Sequence, residues 1–436
     1  MQRPPTGFPL LFVVLALPLL AGGQAPPPDP ERVRWVTEHA VAVRSIDPAD
    51  EDFADLMPLV RAIGKARVVQ LGEATHGDGA TFLAKGRLVR FLHQVMGFDV
   101  VAWETGIFDV RQMDTALRAG LPSGEAARRG IYPAWHNEES MWTLDYLRAS
   151  QRTDRPIESV GFDCRIGLSP NRTVLYPQMI FDFFDRLDPV LLPPSERERF
   201  KAVSLAVNSL PNERHWKPEI KQYLELPRRL IETIDRRREE LLVHYPPREI
   251  DFVRRTLVTL LNTERAIVPG GMQTSPTYRR DTAMGENLLW WLNGPLADRK
   301  VIVWAHNYHV MNDNYLAPGA AGDGHAVATW PMGRFLKTEL GADLYTIGFT
   351  SHGGSYLDDD DRRVAVTPGP LETLLHAAGR SYLFLDFARV PLDHWLRDRW
   401  TASFYMYWPT ESRWPRVYDG VFFIDAQKPA TPLAAP

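Results

Sequence analysis

The sequence has very little cysteine, no long apolar run in its interior and no strong charge of either sign. The single cysteine, Cys164, excludes an internal disulfide, and a small buried residue is the favoured interpretation of this position. No stretch beyond the N-terminal region has the length of a membrane span. The formal net charge of -4 over 436 residues gives no bulk attraction to nucleic acid, so we expect no nucleic-acid partner.

Several common catalytic signatures are also missing. The chain has no G-x-S-x-G nucleophile elbow, no HExxH zinc helix and no glycine-rich phosphate loop. Cys164 has no neighbouring base in the sequence. These absences argue against a serine or cysteine nucleophile and favour direct attack by an activated water molecule.

The N-terminus has the composition of a secretory signal peptide. Arg3 precedes an apolar run over 8–20, and small residues follow as far as Ala25. We therefore expect residues 1–25 to be removed on export, and the mature protein to be periplasmic or secreted without a stable membrane anchor. The proline-rich tract 26–30 is predicted to be a stiff spacer.

The hydrophobic pattern of the mature chain predicts an α/β fold with a central, mostly parallel sheet flanked by helices. Short β-branched runs alternate with helical periodicity, which is typical of buried parallel strands joined by crossover helices. Predicted strands include 68–71, 98–103, 159–163 and 301–304, with further strands in GADLYTIGFT, SYLFLDF and DGVFFI. We divide the chain into a first part of the core (31–174), an inserted helical subdomain or lid (175–268), a second part of the core (269–428) and a C-terminal tail (429–436).

Polar, titratable side chains follow several of these predicted strands. Glu73 and His76 come after the first strand, Glu104 after the second, and His306 and His309 after the strand at 301–304. Because ligands bind beyond the carboxyl ends of parallel strands, we expect these side chains to form one active site. Taken alone, each has a structural alternative, such as a hydrogen-bonded pair or an ion pair at a strand end.

The residue types at this predicted edge suit acid–base chemistry. His76 is the candidate general base for water, because imidazole titrates near neutral pH. Arg280 could pair with a carboxylate or stabilise an oxyanion, and a surface ion pair is its alternative role. The same glutamates and histidines would also suit a zinc or manganese ion by ligand type, so a divalent metal stays open. Aromatic and polar neighbours are assigned to substrate binding: Lys85, Trp103, His136 and Tyr308.

Five motifs together make the chain resemble the erythromycin esterase family. They are LGEATHG, GFDVVAWETG, RRDTAMGENLLWWL, VIVWAHNYHV and YTIGFTSHGGSY, in that family's order and spacing over roughly 60–426. The resemblance implies hydrolysis of a macrolactone or another bulky carboxylic ester, with antibiotic resistance as the associated role and no cofactor. It implies that His76 is the general base, and that the remaining site residues are Glu73, Glu104, Arg280, His306 and His309.

One position departs from the family pattern. Lys85 stands where the resistance esterases have an arginine, so the positive charge is kept and the planar fork is lost. This difference bears on macrolide specificity more than on hydrolysis itself.

Two rival functions follow from more distant similarities. The chain is similar to TIKI/TraB-type metalloproteases, which share a glycine, a histidine and a downstream glutamate, and to haem-binding ChaN-like lipoproteins. A metal-dependent hydrolase would lose activity on chelation, whereas a haem-binding protein would show a Soret band and no turnover. The sequence leaves the oligomeric state open.

Overall fold

The computed structural model describes residues 27–209, 219–267, 280–313, 331–358 and 360–434. The predicted signal peptide, 1–25, lies outside these residues. Among the helices of the described ranges, none combines the length and the apolar character needed to cross a bilayer.

A mixed sheet forms the centre of the molecule. Its strands run in the order β1-β8-β11-β6-β2-β5-β3-β4, and β7 pairs with the far half of β6. The six neighbours from β11 to β4 are all parallel, whereas β1, β7 and β8 pair antiparallel. The strands, including the separate hairpin β9–β10, are β1 Val41–Ala42, β2 Val68–Leu71, β3 Val100–Gly106, β4 Glu158–Asp163, β5 Val301–Trp304, β6 Leu344–Leu357, β7 Arg363–Ala365, β8 Tyr382–Asp386, β9 Trp400–Ala402, β10 Thr410–Ser412 and β11 Gly420–Gln427.

Helices cover both faces of this sheet. Two apolar clusters, one on each face, divide alternate side chains of the same strands between them, as the period of a buried strand requires. The helices are α1 Pro30–His39, α2 Met57–Ile63, α3 Gly79–Met96, α4 Ile107–Arg118, α5 Ser123–Gly130, α6 Glu138–Ser150, α7 Tyr176–Leu187, α8 Pro194–Asn208, α9 Ile220–Tyr223, α10 Glu225–Arg236, α11 Arg238–Leu242, α12 Pro247–Ile267, α13 Arg280–Asn293, α14 Asn307–Val310, α15 Met332–Leu340, α16 Pro370–His376 and α17 Trp414–Val417. The predicted α/β fold with a central, mostly parallel sheet is therefore confirmed.

The crossover β2–α3–β3 determines where the polar loops lie. Helix α3 ends at Gly97, whose φ of 78° is the left-handed conformation that glycine adopts most easily. Strand β2 is parallel to β5, and β5 is parallel to β3. The loops after these three strands consequently emerge at one edge of the sheet. The predicted strand 98–103 ends later than expected, at Gly106, because β3 continues past a bulge to pair with β4. Glu104 therefore lies within a strand, two residues before its end, and is not a loop residue.

The segment predicted as a helical subdomain consists of helices α7 to α12 wherever the structure describes it. These helices share an apolar cluster of their own, which also includes Phe108 of α4 and Ile166. Helix α12 joins the second part of the core through Arg255, whose Nε donates to Asn287 Oδ1 at 2.9 Å. The lid role of this segment stays a prediction.

Both ends of the described chain are better ordered than the sequence suggested. Pro30, assigned to the spacer, is the first residue of α1, and the Asp29 side chain accepts a hydrogen bond from Glu31 N at 2.8 Å. The predicted C-terminal tail lies against the loop after β2, since Ala430 N donates to Gly77 O at 2.9 Å. Leu433 N donates to His136 O at 2.9 Å in the same way. Residues 429–433 therefore support the predicted site instead of extending freely from it.

Candidate active site

Glu73 is the buried centre of the first half of the site. Its side chain is fully inaccessible and accepts three hydrogen bonds. Oε1 accepts from His76 Nδ1 and from Trp135 Nε1, both at 3.0 Å, and Oε2 accepts from Lys85 Nζ. Burial alone would raise the pKa of Glu73, but the charge of Lys85 and the hydrogen bond from His76 hold that pKa below its ordinary value. Glu73 is consequently a carboxylate that orients the His76 ring.

Lys85 is a positioning residue, and its assignment to substrate binding is wrong. Its side chain is fully buried in α3, with Nζ on Glu73 and 4.2 Å from the centre of the Trp304 ring. Because the Lys85 side chain has no accessible surface, a substrate cannot contact it. Burial lowers the pKa of Lys85 to about 8, and Glu73 opposes that effect, so the pair stays charged at neutral pH.

His76 is the most accessible of the predicted catalytic groups. Its side chain is 34% exposed, and Nδ1 is held by Glu73. Nε2 has no hydrogen bond to any residue that the structure describes. Burial disfavours the charged ring, but the hydrogen bond to Glu73 and the negative charges of Glu104 and Glu73 raise the pKa of His76 above 6.5. One nitrogen is therefore oriented by a carboxylate while the other is free to face a ligand.

Glu104 organises the second half of the site. Its Oε1 accepts from Arg280 Nη2 at 2.9 Å and lies 3.0 Å from His309 Nε2, while Oε2 accepts from His306 N at 2.9 Å. Asp163, at the end of β4, adds a second carboxylate 2.7 Å from Arg280 Nη2. Although burial favours the neutral acid, His309 and Arg280 hold the pKa of Glu104 well below its ordinary value.

His309 is an imidazolium between two carboxylates. Nδ1 lies 2.7 Å from Asp281 Oδ1 and Nε2 lies 3.0 Å from Glu104 Oε1. Burial opposes the charge, but Asp281 and Glu104 together raise the pKa of His309 to about 10. A doubly protonated ring has no lone pair, so the 3.2 Å contact of Arg280 Nη1 with His309 Nε2 is not a hydrogen bond. The Nη1 hydrogens of Arg280 then have no acceptor among the described residues.

His306 has a structural role in this geometry, which does not support the carbonyl-polarising role predicted for it. Nε2 donates to Ala74 O at 2.7 Å, and Nδ1 accepts from Tyr308 N at 3.0 Å. Burial and the neighbouring His76 lower the pKa of His306 to about 3, so the ring is neutral. It stands between the other two imidazoles, with ring centroids 5.3 Å from His76 and 6.4 Å from His309. Its hydrogen bonds join the loop after β2 to the loop after β5.

The close approach of those two loops depends on Gly72. Asn307 N donates to Glu73 O at 2.8 Å, and Asn307 also bridges to Phe349 and Phe404 through its side chain. A Cβ at Gly72 would lie 2.0 Å from Asn307 Oδ1. Only glycine fits this contact without displacing Asn307.

We therefore expect Gly72→Ala to destabilise the fold by about 1–3 kcal/mol, because the new methyl group pushes Asn307 out of its hydrogen bonds. Urea denaturation measures the effect. The matched control is Gly124→Ala, whose methyl group meets Arg128 Nη1 at an ordinary 3.6 Å. Equal stability of the two variants would contradict the proposed contact.

Besides Lys85, three residues were assigned to substrate binding, and two of them lie elsewhere. Trp103 has no exposed surface and packs in the apolar layer under the loops, with its ring centroid 4.9 Å from that of Trp304. Trp103 lies within β3, so its side chain packs on one face of the sheet and does not extend beyond the end of the strand. His136 Nε2 lies 3.1 Å from Ile131 O, next to the end of α5, so it holds that end instead of joining the cluster. Tyr308 is partly exposed beside His309 and Tyr405, and its role stays a prediction.

Three partners of the site were not predicted from the sequence. Asp163 ends a predicted strand, so the strand-end argument applied to Glu104 would also have found it. Asp281 directly follows Arg280 and holds His309. Trp135, which donates to Glu73, comes from a short turn at Pro133–Trp135 and has no recognisable signal in the sequence.

The cluster does not fit a divalent metal ion well. The oxygens of Glu73 and Glu104 already accept from cationic or N–H donors. Both ring nitrogens of His306 and of His309 are also engaged. Only His76 Nε2 offers a lone pair without displacing another contact, and a single histidine is too few ligands for a zinc site.

Comparison with known proteins agrees with this architecture. The profile of the erythromycin esterase family matches residues 93–427. The chain belongs to the erythromycin esterase family. Among relatives, it is 26% identical to "Putative hydrolase YbfO" of Bacillus subtilis (strain 168), covering 97% of each chain. It is 24% identical to an erythromycin esterase type II of Escherichia coli, over 90% of this chain and 96% of that protein. Membership of this family and the names of these relatives indicate a hydrolase.

Solved structures show the same fold. A crystal structure of a Bacillus cereus protein superposes with a TM-score of 0.78 at 20% identity, covering 93% of this chain and 99% of that one. A mutant of the erythromycin esterase EreC in its open conformation gives a TM-score of 0.65 at 16% identity, covering 88% and 96%. At these identities the likeness concerns the fold alone.

Proposed function

We propose that the protein hydrolyses a bulky carboxylic ester by direct attack of water that His76 activates. The observation that carries this proposal is the Glu73–His76 pair. A fully buried carboxylate holds Nδ1 at 3.0 Å, while the opposite nitrogen belongs to a side chain that is one-third exposed. This arrangement fixes the tautomer with Nδ1 protonated and leaves Nε2 as the base.

The steps follow from the position of the free nitrogen. Water gives a proton to His76 Nε2 as its oxygen attacks the ester carbonyl carbon, and Glu73 stabilises the resulting imidazolium. The tetrahedral intermediate collapses when the carbon–oxygen bond to the alcohol breaks. His76 returns the proton to the departing alkoxide, which leaves the carboxylic acid and the alcohol as products.

Arg280 is the proposed partner of the developing oxyanion. Its Nε and Nη2 donate to Asp163 at 3.1 and 2.7 Å, which fixes the plane of the guanidinium. The Nη1 hydrogens have no acceptor among the described residues once His309 is protonated. A cationic N–H that is already held in place stabilises developing negative charge without reorganisation. In this scheme Glu104 and His309 position Arg280 and do not touch the substrate.

Aromatic side chains beside the cluster support a bulky substrate. Tyr405 lies 5.4 Å from His306 and 5.8 Å from Tyr308, measured between ring centroids. Trp408, 5.5 Å from Tyr405, is 56% exposed. Such rings provide apolar area for a large organic ligand next to the polar groups. A macrolactone is the substrate that family membership suggests first.

Incubation of the purified chain with erythromycin and with a panel of bulky esters tests the proposal. We expect mass spectrometry to show the gain of one water on at least one of these esters, with equal rates in the presence and absence of a chelator. Loss of turnover on chelation would favour the metal-dependent alternative. A Soret band on haem addition without any turnover would favour the haem-binding alternative.

The activity should fall on acidification. His76 acts as a base only when it is neutral, and Glu73 and Glu104 raise its pKa above 6.5. We therefore expect kcat/KM to rise with pH through an apparent pKa above 6.5 and to be lost progressively below it. Circular dichroism over the same pH range separates titration from unfolding. An apparent pKa below about 6 for the acid limb, with the fold intact, would contradict the assignment. That value is about half a unit below the pKa of an unperturbed imidazole.

A further inference from the structure

A second cluster of ligand-type side chains lies on β6, β11 and α16, outside the proposed active site. It consists of His352, His376 and Asp425, and one ligand atom of each lies within 4.8 Å of those of the other two. Of the residues that the structure describes, this is the set of three whose ligand atoms converge in this way. None of them takes part in the proposed hydrolysis.

The fold brings the three side chains together from distant parts of the chain. Strands β6 and β11 pair Ser351 with Ile424 and Gly353 with Ala426, so His352 and Asp425 lie side by side across the strand pair. His376 is the last residue of α16, and its Nδ1 lies 2.5 Å from Asp425 Oδ1. Two of the three positions belong to the sheet and the third to a helix packed on it.

The surroundings leave the ligand atoms available. His376 and Asp425 have side chains 49% and 35% exposed, and no hydrogen bond joins either ring nitrogen of His352 to a described residue. The two imidazole rings stack with centroids 4.0 Å apart and planes inclined by 7°. Parallel planes cannot both contain one ion, so binding requires at least one ring to turn about its Cβ–Cγ bond. Partly exposed side chains can make that rotation.

We infer that His352, His376 and Asp425 form a zinc-binding site that ties the end of α16 to β6 and β11. Two neutral imidazoles and one carboxylate are the ligand types that Zn²⁺ prefers, and water completes the fourth position of a tetrahedral site. The ion would replace the His376–Asp425 hydrogen bond with three bonds of about 2.0–2.2 Å. Because the unfolded chain holds no preformed site, binding stabilises the folded state.

Titration of the chelator-treated, dialysed chain with ZnCl₂ at pH 7.5 tests the inference. We expect calorimetry to show one bound equivalent and thermal unfolding to shift upward by about 3 °C or more at saturation. His376→Ala and Asp425→Asn should each weaken binding by about tenfold or more, and the double variant His352→Gln/His376→Ala should abolish it. His244→Ala, which removes an exposed histidine elsewhere, should bind as the unmodified chain does.

A separate arm distinguishes this site from the proposed active site. His76→Asn should retain the zinc equivalent, since His76 belongs to another cluster. Retention of the equivalent by the His352→Gln/His376→Ala variant, or its loss in His76→Asn, would overturn the assignment. Absence of any zinc binding by the unmodified chain would overturn it as well, and would leave the cluster as a stacked histidine pair with a surface hydrogen bond between His376 and Asp425.

Discussion

Replacing His76 with asparagine should lower kcat for ester hydrolysis by about 10²-fold or more. Asparagine keeps a polar side chain beside Glu73 but has no nitrogen able to take a proton from water at neutral pH. The side chain is 34% exposed and lies in a loop, so we expect the free energy of unfolding to change little. Turnover of the most reactive ester, measured at saturating concentration, gives the ratio.

The control for this variant is His244→Asn, an exposed histidine outside the cluster, which should keep full activity. Thermal unfolding of both variants checks that they are folded. Unchanged turnover in a folded His76→Asn protein would remove His76 from the mechanism. It would leave the family assignment intact, because the family profile begins at residue 93, after His76.

The largest loss of stability is expected from Lys85→Met. The substitution leaves the carboxylate of Glu73, which has no accessible surface, without its cation. Removing one partner of a buried ion pair costs about 3–5 kcal/mol, because the remaining charge is neither solvated nor paired. Activity should fall too, since Glu73 would take up a proton and lose its hold on the His76 ring. Urea denaturation and turnover measure the two effects.

Two further variants make that result specific. Lys85→Met/Glu73→Gln removes both charges and should recover much of the lost stability without recovering activity. Lys201→Met breaks an exposed pair with Glu198 and should change stability by no more than about 0.5 kcal/mol. A Lys85→Met protein as stable as Lys201→Met would show that the buried pair contributes nothing net to the fold.

Much of the candidate site could be predicted from the strand ends, because parallel strands leave little freedom in where the following residues lie. Three of the predicted strands are parallel neighbours, namely 68–71, 301–304 and the strand that contains Glu104. The residues that follow them must therefore meet at one edge of the sheet. Glu73, Glu104 and His309 gather there for that reason. Arg280 was assigned largely through the family resemblance. The sequence before its helix does not indicate where that helix lies relative to the sheet.

The partners of those groups could not be predicted in the same way. Lys85 lies on a helix that is buried on nearly all sides, so its periodicity cannot distinguish a buried lysine from a solvated one. Both ring nitrogens of His306 form hydrogen bonds with backbone groups, Ala74 O and Tyr308 N. A pattern of side chains in the sequence does not predict such bonds. Trp103 was misassigned because an aromatic residue near a strand end suggested a substrate contact. Its position in the strand instead places the ring on a buried face of the sheet.

The proposed export signal, residues 1–25, lies outside the described ranges. The proposed macrolide substrate rests on family membership. The geometry itself supports a narrower chemical statement, namely one accessible imidazole nitrogen oriented by a buried carboxylate.

Oxygen-18 labelling of the product tests that statement most directly. The most reactive ester is incubated in labelled water with the unmodified chain and with His76→Asn, and the new carboxylic acid is analysed by mass spectrometry. We predict one labelled oxygen in each acid molecule that forms, and about 10²-fold less labelled acid from the variant than from the unmodified chain in the same time. Equal amounts of labelled acid from the two folded proteins, or no acid from any ester in the panel, would contradict it.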